Sequence, residues 1–222
     1  MYKKSFFSYL DKKYSTHLYT GLLGFFMKLG HKNLENFNND IKISKVLEIG
    51  AGSHPHYDFI KHNFKEYHIA ETSDYAINSY KDNKKFIVKK YDGKNLPYKN
   101  NTFDRIIISH CLEHILNPEL FLIEMMSKLK RGGLLSISLP TDPGLLWRFG
   151  RFLIKVFILP RTYKISSEDF YYMNATEHVN SIFNLIAILR FNFKDKLEEH
   201  FWPLKIKCAD INLFYNVHVY KK

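Results

Sequence analysis

The middle of the chain alternates short apolar runs with longer segments in which apolar residues recur every three or four positions. Short runs closed by turn residues are typical of buried strands, and the longer pattern is typical of amphipathic helices. The runs predict strands over residues 44–50, 66–71, 86–91, 103–109 and 134–139. The segments between them predict helices near 55–64 and 75–81 and from Asn117-Pro118 to Gly132. Strands joined by helical crossovers form a parallel sheet with helices on both faces.

The two flanks of this region have patterns of their own. Residues 1–30 predict an aromatic-rich amphipathic helix, and residues 31–39 predict a polar linker or a short helix. An insertion follows residue 140 and contains a predicted helix over 145–159 with basic residues on one face. Such a helix can cap the domain, cover a bulky or lipid-like substrate, or lie in a membrane interface. The remaining predicted elements are a helix over 181–193 and closing strands over 201–207 and 211–220.

The stretch at residues 46–52, Val-Leu-Glu-Ile-Gly-Ala-Gly, predicts a strand that ends in a tight turn. Gly50 and Gly52 have no Cβ, so a ligand can approach the backbone closely, and the N–H groups of a following helix would face it. The pattern half-fits the dinucleotide fingerprint, but Pro55 stands where a third glycine is needed. Glu71 ends the second strand, and an acid about twenty residues after the first glycine suits a pair of ribose hydroxyls.

Four stretches together resemble the class I S-adenosylmethionine-dependent methyltransferases, in the group that includes small-molecule methyltransferases. They are VLEIGAG, the acid at Glu71, YDGKNLPYKNNTFDRIIISHCLEHI and LKRGGLLSISLP, which cover roughly residues 44–140, with a weaker echo at 177–180. The resemblance implies an α/β, Rossmann-like fold with a seven-stranded, mostly parallel sheet, helices on both faces and a C-terminal antiparallel hairpin. It implies one domain over 1–222, divided into an N-terminal helical cap (1–40), a cofactor-binding core (44–140), a substrate-side insertion (141–177) and a C-terminal helix with closing strands (178–222).

The same resemblance implies S-adenosylmethionine as cofactor and S-adenosylhomocysteine as product. Position by position, it assigns cofactor contacts to Glu48, Gly50, Gly52, Glu71, Asp92, Gly93 and His110. Glu48 would fix the glycine turn, Glu71 would accept both ribose hydroxyls, and Asp92 would accept a hydrogen bond from the adenine amino group. His110 would lie beside the sulfonium. His54 departs from the family pattern, because a further glycine is common there, and its side chain narrows the room beside the amino-acid tail of the cofactor.

The acceptor side is assigned from the chemistry of individual residues. Histidine titrates near neutral pH and can take a proton from a hydroxyl, so His114 and His178 are the candidate catalytic bases. Arg161, Tyr171 and Tyr172 are candidates for the wall of the acceptor pocket, which the insertion over 141–177 is expected to form. The other histidines show no ligand spacing, so the sequence predicts no metal site.

Composition narrows the class of protein but not the substrate. The chain has 222 residues, a net charge of +11 and 45% apolar residues, which fits one α/β domain with a full core. The charge favours anionic partners, such as phosphorylated metabolites, nucleic acid or an anionic membrane face. The two cysteines form no disulfide framework, and neither a signal peptide nor a membrane-spanning segment is evident, so a cytoplasmic location is expected.

The leading hypothesis is methylation of a small molecule, at an oxygen of a sugar, a sugar phosphate or a surface-glycan precursor. A lipid or quinone methyltransferase is the first alternative, because the predicted helix over 145–159 is rich in apolar residues. An RNA methyltransferase is the second, but the sequence has no separate RNA-binding domain and no Asn/Asp-Pro-Pro-Tyr/Phe tetrad. A methyltransferase-like protein that only binds a partner is the non-enzymatic alternative. Peripheral membrane contact and the oligomeric state are left open.

Overall fold

The computed structural model describes residues 19–37, 41–157 and 166–222. A seven-stranded sheet has the spatial order β3-β2-β1-β4-β5-β7-β6. Strands β1 to β5 run parallel to one another, and β7 is antiparallel to both β5 and β6. This arrangement confirms the predicted mostly parallel sheet with an antiparallel C-terminal pair. The strands are β1 Lys45–Ile49, β2 Glu66–Glu71, β3 Ile87–Lys90, β4 Phe103–Ser109, β5 Leu129–Pro140, β6 Leu197–Trp202 and β7 Phe214–Tyr220.

Helices cover both faces of the sheet, as predicted. The α-helices of the described ranges are α1 Gly21–Leu34, α2 Asp74–Ser79, α3 Pro118–Lys128, α4 Leu145–Leu153, α5 Ser167–Glu177 and α6 Ile182–Phe193. Short 3₁₀ helices occupy His56–Phe59, Leu112–His114 and Lys194–Lys196. Among the described residues, no helix combines the length and apolarity that crossing a membrane requires.

The core has two layers because successive residues of a strand point to opposite faces. In β4, Ile106 and Ile108 pack with residues of α3 and α6, whereas Ile107 packs on the other face with Leu34 of α1. All three isoleucines are fully buried, which contributes roughly 1.5–3 kcal/mol for each side chain. The central strands are thereby fixed, and their carboxyl ends form a stable edge on which a site can be built.

The prediction of a helix over 55–64 is wrong, since only His56–Phe59 forms a single short 3₁₀ turn. Pro55 and Ile60 have extended backbones, with ψ of 153° and 131°. The N–H of His56 donates to the carboxylate of Glu48 and the N–H of Lys61 to that of Glu35. These side-chain acceptors replace the carbonyl acceptors of a helix, so the segment stays irregular.

Other boundaries also differ from the prediction. Helix α3 ends at Lys128 rather than at Gly132, because β5 already begins at Leu129, which pairs with Phe103. Gly132 instead occupies a left-handed position, with a φ of +76°, inside the long β5. Helix α1 continues to Leu34, into the segment expected to be a polar linker or a short helix, because His31 and Leu34 are buried.

The closing strands and the predicted helices over 1–30 and 145–159 also differ in extent from what the structure describes. Strand β6 covers 197–202 rather than 201–207, because Pro203 has no N–H to donate to a partner strand. Strand β7 begins at 214 rather than 211. Helix α4 continues as a π-helical turn to residue 157, and the rest of the predicted helix lies outside the described residues, as do residues 1–18 of the predicted N-terminal helix.

Candidate active site

The two glycines after β1 have different surroundings. Both adopt left-handed backbones, with φ of +66° at Gly50 and +57° at Gly52. A Cβ on Gly50 would lie 2.6 Å from the sulfur of Cys111, so this position must stay without a side chain. A Cβ on Gly52 would meet no atom within 4 Å. Gly52 is therefore the place where a ligand can reach the backbone of the turn.

Glu48, a buried residue of β1, fixes this turn through hydrogen bonds. Its buried carboxylate accepts the N–H of His56 at 2.9 and 3.0 Å and the hydroxyl of Tyr67 at 2.6 Å. Burial raises the pKa of Glu48 to about 7, against the opposing effect of these two donors. Glu48 thus connects the strand before the glycine turn to the 3₁₀ turn His56–Phe59 that comes after it.

Glu71, at the end of β2, also supports the glycine turn. Its Oε1 accepts the N–H groups of Thr72 at 2.7 Å and Ser73 at 3.0 Å, and its Oε2 accepts the N–H of Gly52 at 3.0 Å. Each carboxylate oxygen has two acceptor positions. One position on Oε2, directly beside Gly52, is therefore not used by the described residues.

Asp92 and Gly93 lie at the neighbouring strand end, after β3. Oδ1 of the exposed Asp92 accepts the N–H groups of Asn95 and Lys94, both at 2.8 Å. These bonds, led by that from Asn95, lower the pKa of Asp92. Gly93 has a φ of +80°, so the chain turns sharply here. The N–H of Tyr91 donates to the carbonyl of Glu71, which keeps the two loops adjacent.

His110 follows β4 directly and has an unusual environment. Its backbone is left-handed, with a φ of +51°, and its N–H donates to the carbonyl of Ser138 in β5. The ring packs edge-on against Phe214, 5.4 Å between centroids. Its Nε2 is buried without a hydrogen-bond partner among the described residues. Burial, together with the nearby histidines, lowers the pKa of His110 to about 3, so the imidazole is neutral.

The structure brings His114 and His178 together although they are far apart in the sequence. Their ring centroids are 5.1 Å apart. Nδ1 of His114 lies 2.7 Å from the carbonyl of Glu177, and Nδ1 of His178 lies 2.5 Å from Oδ2 of Asp142. Burial, and then the charge of His178, lower the pKa of His114. The guanidinium of Arg151 also binds the Asp142 carboxylate.

Glu113 completes this group and was not singled out from the sequence. It is 3% exposed, its Oε1 lies 3.9 Å from Nε2 of His114, and its Oε2 has no hydrogen-bond partner among the described residues. Burial raises the pKa of Glu113 to about 7. Glu113, His114 and His178 are named the open cluster below, because both histidine side chains are partly exposed, 40% and 20% respectively.

A second group, Glu35, His56 and Arg105, is named the closed cluster, because the side chains of all three are fully buried. Oε1 of Glu35 lies 2.7 Å from both the guanidinium of Arg105 and Nε2 of His56. Burial alone would raise the pKa of Glu35, but the hydrogen bond from His56 and the charge of Arg105 hold it well below its usual range.

Two tyrosines that the sequence did not mark also contact the glycine turn. The hydroxyl of Tyr80 donates to the carbonyl of Gly52 at 2.5 Å. The ring of Tyr19 stacks on that of His54, 4.1 Å between centroids. The sequence carries no spacing signal for either contact, because each joins the turn to a separate helix region.

The residues proposed to line the acceptor pocket lie partly on α5. Tyr171 and Tyr172 lie on α5 with 47% and 51% exposure, and the ammonium of Lys155 lies 5.0 Å from the ring centroid of Tyr171. Arg161 lies outside the described residues. The roles of these three residues stay predictions.

Residues 21–190 match a family model described as a methyltransferase domain. The chain belongs to this family. A curated relative is the demethylmenaquinone methyltransferase of Corynebacterium urealyticum, 36% identical over 81 residues, which make up 35% of this chain and 34% of that protein. The match thus spans about a third of the length of that relative.

Two solved methyltransferase structures show the same fold. The plantazolicin methyltransferase BpumL in complex with SAH aligns with a TM-score of 0.67 and 16% identity, covering 99% of this chain and 93% of that chain. An enzyme of Thermotoga maritima described as a SAM-dependent methyltransferase, possible histamine N-methyltransferase, aligns with a TM-score of 0.60 and 17% identity, covering 96% and 98% of the two chains. The family and the fold confirm the prediction of a class I methyltransferase that uses S-adenosylmethionine.

Proposed function

We propose that this methyltransferase holds S-adenosylmethionine across the carboxyl ends of β1 to β4 and methylates an oxygen of a small molecule bound beside His114 and His178. One observation carries the cofactor half of the proposal. Gly52, Glu71, Asp92 and His110 lie at the carboxyl ends of four strands that are neighbours in the sheet. Ligands of open α/β sheets bind at this edge.

The residues at the edge fit the cofactor. The space beside Gly52 is open, Oε2 of Glu71 has an unused acceptor position next to it, and the buried Nε2 of His110 has no partner among the described residues. One ribose hydroxyl can donate to that position of Glu71. A second hydroxyl can do so only by displacing the N–H of Gly52, which already donates to Oε2.

When bound, S-adenosylmethionine supplies a methyl group on a sulfonium that is already a good leaving group. The task of the chain is therefore to align the acceptor oxygen with that methyl group and to remove its proton. The carboxylate of Asp142 lies 2.5 Å from Nδ1 of His178 and can accept a hydrogen bond from it, so that Nε2 of the same ring would be available to take the acceptor proton. This orientation supports the base role that the sequence suggested for His178.

Two classes of acceptor are proposed. A hydroxyl of a sugar, a sugar phosphate or a surface-glycan precursor is the leading class, supported by the net charge of +11, which attracts anionic substrates. A cytoplasmic location stays part of this proposal, since Cys111 and Cys208 are both free thiols.

An apolar acceptor of the quinone type is the second candidate, favoured by a specific observation. An open apolar cavity of about 490 Å³ lies between α4 and the loop after β6, and its lining includes Leu145, Phe149, Leu204 and Ile211. All four side chains are at least 36% exposed. Phe214 connects this region to the cofactor edge, because its ring contacts both Trp147 of α4 and His110.

Calorimetric titration of the full chain with S-adenosylmethionine tests the cofactor half. Asp92→Asn should weaken binding by about 1–3 kcal/mol, the usual effect of removing a charged hydrogen-bond partner. Asp74→Asn is the matched control, because Asp74 is an exposed aspartate at the same side of the sheet, paired with Lys90. Equal affinities for the parent and both variants would remove Asp92 from the site.

A screen of hydroxylated acceptors tests the other half, with formation of S-adenosylhomocysteine as the readout. Sugar phosphates and soluble quinols form its two arms, so that turnover in one arm selects the acceptor class. His178→Ala should lower turnover with the selected acceptor by about 100-fold while cofactor affinity stays near the parent value. Unchanged turnover would place the acceptor away from the open cluster.

A further inference from the structure

We propose that the open cluster binds one divalent first-row transition metal ion through a carboxylate oxygen of Glu113 and Nε2 of both His114 and His178. The sequence predicted no metal site. The inference rests on the proposed function and revises one role in it: Nε2 of His178 would bind an ion that contacts the acceptor oxygen, instead of taking the acceptor proton directly.

The ligand types and their separation fit such an ion. One ligand atom from each of the three side chains lies within 4.8 Å of the other two. Two imidazoles and one carboxylate form a common set for Zn²⁺, Fe²⁺ and Mn²⁺, with open positions for a substrate oxygen. Ligand atoms held at about 2.1 Å from one ion lie roughly 3–3.5 Å apart, so a contraction of about 1 Å completes the site. The partly exposed His114 can supply that movement by rotating its side chain.

The second ring nitrogens are arranged as metal sites require. A metal-bound histidine usually gives its other N–H to a carboxylate or a backbone carbonyl, which fixes the ring and its tautomer. Nδ1 of His114 faces the carbonyl of Glu177, and Nδ1 of His178 faces the carboxylate of Asp142. Both rings therefore keep Nε2 for an ion.

Glu113 gives an independent indication of a cation. Its side chain is 4% exposed, and no lysine or arginine forms an ion pair with it in the described ranges. Its Oε2 is buried without a hydrogen-bond partner among these residues. A buried carboxylate with an unused oxygen is costly unless a positive charge compensates it. The half-exposed imidazole of His114, at 3.9 Å, is too distant for a hydrogen bond.

The backbone holds the ligands in place before any ion arrives. The N–H of Asn180 donates to the carbonyl of Glu113, and the side chain of Asn180 donates to the carbonyl of Ile115. The N–H of Ile182 donates to the carbonyl of Asp142. The segment that carries His178 is thus joined both to the loop after β4 and to the end of β5, so the site is largely preformed.

An ion at this position explains how an acceptor hydroxyl could lose its proton without a protein base. A metal-bound oxygen has a lowered pKa, and its proton can leave to solvent through the exposed side of the cluster. The imidazoles then act on the acceptor only through the ion.

The test is metal binding by the chelator-treated full chain, measured by Co²⁺ absorption and by calorimetry with Mn²⁺ and Zn²⁺. One ion per chain is expected. Glu113→Gln, His114→Ala and His178→Ala should each weaken binding by at least about 30-fold, and Asp142→Asn by about 10-fold. His200→Ala is the matched control, because His200 is 40% exposed and lies 2.9 Å from Glu198, yet belongs to no such cluster. Its affinity should equal that of the parent.

Ion binding that is equal in the parent, His114→Ala and His178→Ala would overturn the inference, as would the absence of binding. Melting temperatures and affinity for S-adenosylmethionine, measured on the same variants, show that each chain is folded. The two proposals fail separately. Loss of cofactor binding in the metal-free parent refutes the proposed function, whereas intact cofactor binding without ion binding refutes only the metal site.

Discussion

The closed cluster and the open cluster use the same two residue types, histidine and glutamate, but differ in how their charges are satisfied. In the closed cluster Arg105 neutralises Glu35, and all three side chains are excluded from solvent. In the open cluster Glu113 has no basic partner of this kind among the described residues, and both histidines reach solvent. A buried carboxylate with an internal cation is part of the architecture, whereas one without it suits a ligand.

Removing the cation of the closed cluster should have the largest effect on stability. Arg105→Met leaves the carboxylate of Glu35 buried without its charged partner, so the free energy of unfolding should fall by about 3–5 kcal/mol. Urea unfolding at neutral pH measures this. Arg190→Met is the control, because the pair of Arg190 with Glu199 is partly exposed and should contribute at most about 1 kcal/mol. Similar losses in both variants would contradict the special role of the closed cluster.

Replacing the carboxylate of the closed cluster should have a smaller, pH-dependent effect. Glu35→Gln keeps a hydrogen-bond acceptor but leaves Arg105 uncompensated, so a loss of about 2–3 kcal/mol is expected at pH 7. The pKa of Glu35 is lowered in the folded chain relative to 4.5 in the unfolded one. As the pH falls, the unfolded chain therefore takes up a proton before the folded chain does. The stabilisation that Glu35 contributes is complete above about pH 4.5 and is lost as the pH falls further.

Urea unfolding of the parent and Glu35→Gln between pH 7 and pH 3 measures this loss. The difference between the two proteins should shrink as the pH falls. A difference that is constant over this range would show that the charge of Glu35 does not stabilise the fold.

The corresponding change in the open cluster should have the smallest effect. Glu113→Gln leaves no buried cation without its partner. In metal-free protein the free energy of unfolding should therefore change by less than about 1 kcal/mol, or rise. Added Zn²⁺ at about 100 times the dissociation constant of the parent should stabilise the parent by about 2.7 kcal/mol and this variant, whose affinity is at least about 30-fold weaker, by at most about 0.9 kcal/mol. A large loss in the metal-free variant would make Glu113 a structural residue like Glu35.

The placement of the proposed cofactor residues along one edge of the sheet could be predicted from the sequence because its signals are local. Gly50, Gly52 and Asp92 follow apolar runs that form strands, Glu71 ends such a strand, and the sheet order then places them along one edge. The details that the sequence missed are non-local. The Gly52 N–H occupies Glu71, and Tyr80 binds the Gly52 carbonyl, through contacts that depend on the folded turn.

Both histidine–glutamate clusters also depend on non-local contacts, which the sequence pattern does not reveal. Arg105 was visible as a charged residue inside an apolar strand, but its partner Glu35 lay in a segment expected to be a polar linker or a short helix. His114 and His178 were named separately, since no spacing connects residues that meet only when the end of α5 docks on the loop after β4. Pro55 suggested a helix start, but Glu48 and Glu35 compete for the backbone donors of that segment.

A crystal structure of the full chain with S-adenosylhomocysteine and Co²⁺, with anomalous data at the cobalt edge, tests the contrast between the two clusters most directly. The expected result is one anomalous peak bonded to Glu113, His114 and His178, facing a nucleoside held at Gly52, Glu71 and Asp92, with no peak at the closed cluster. A nucleoside at this edge with no cobalt at the open cluster, or cobalt only at surface histidines such as His200, would contradict the account.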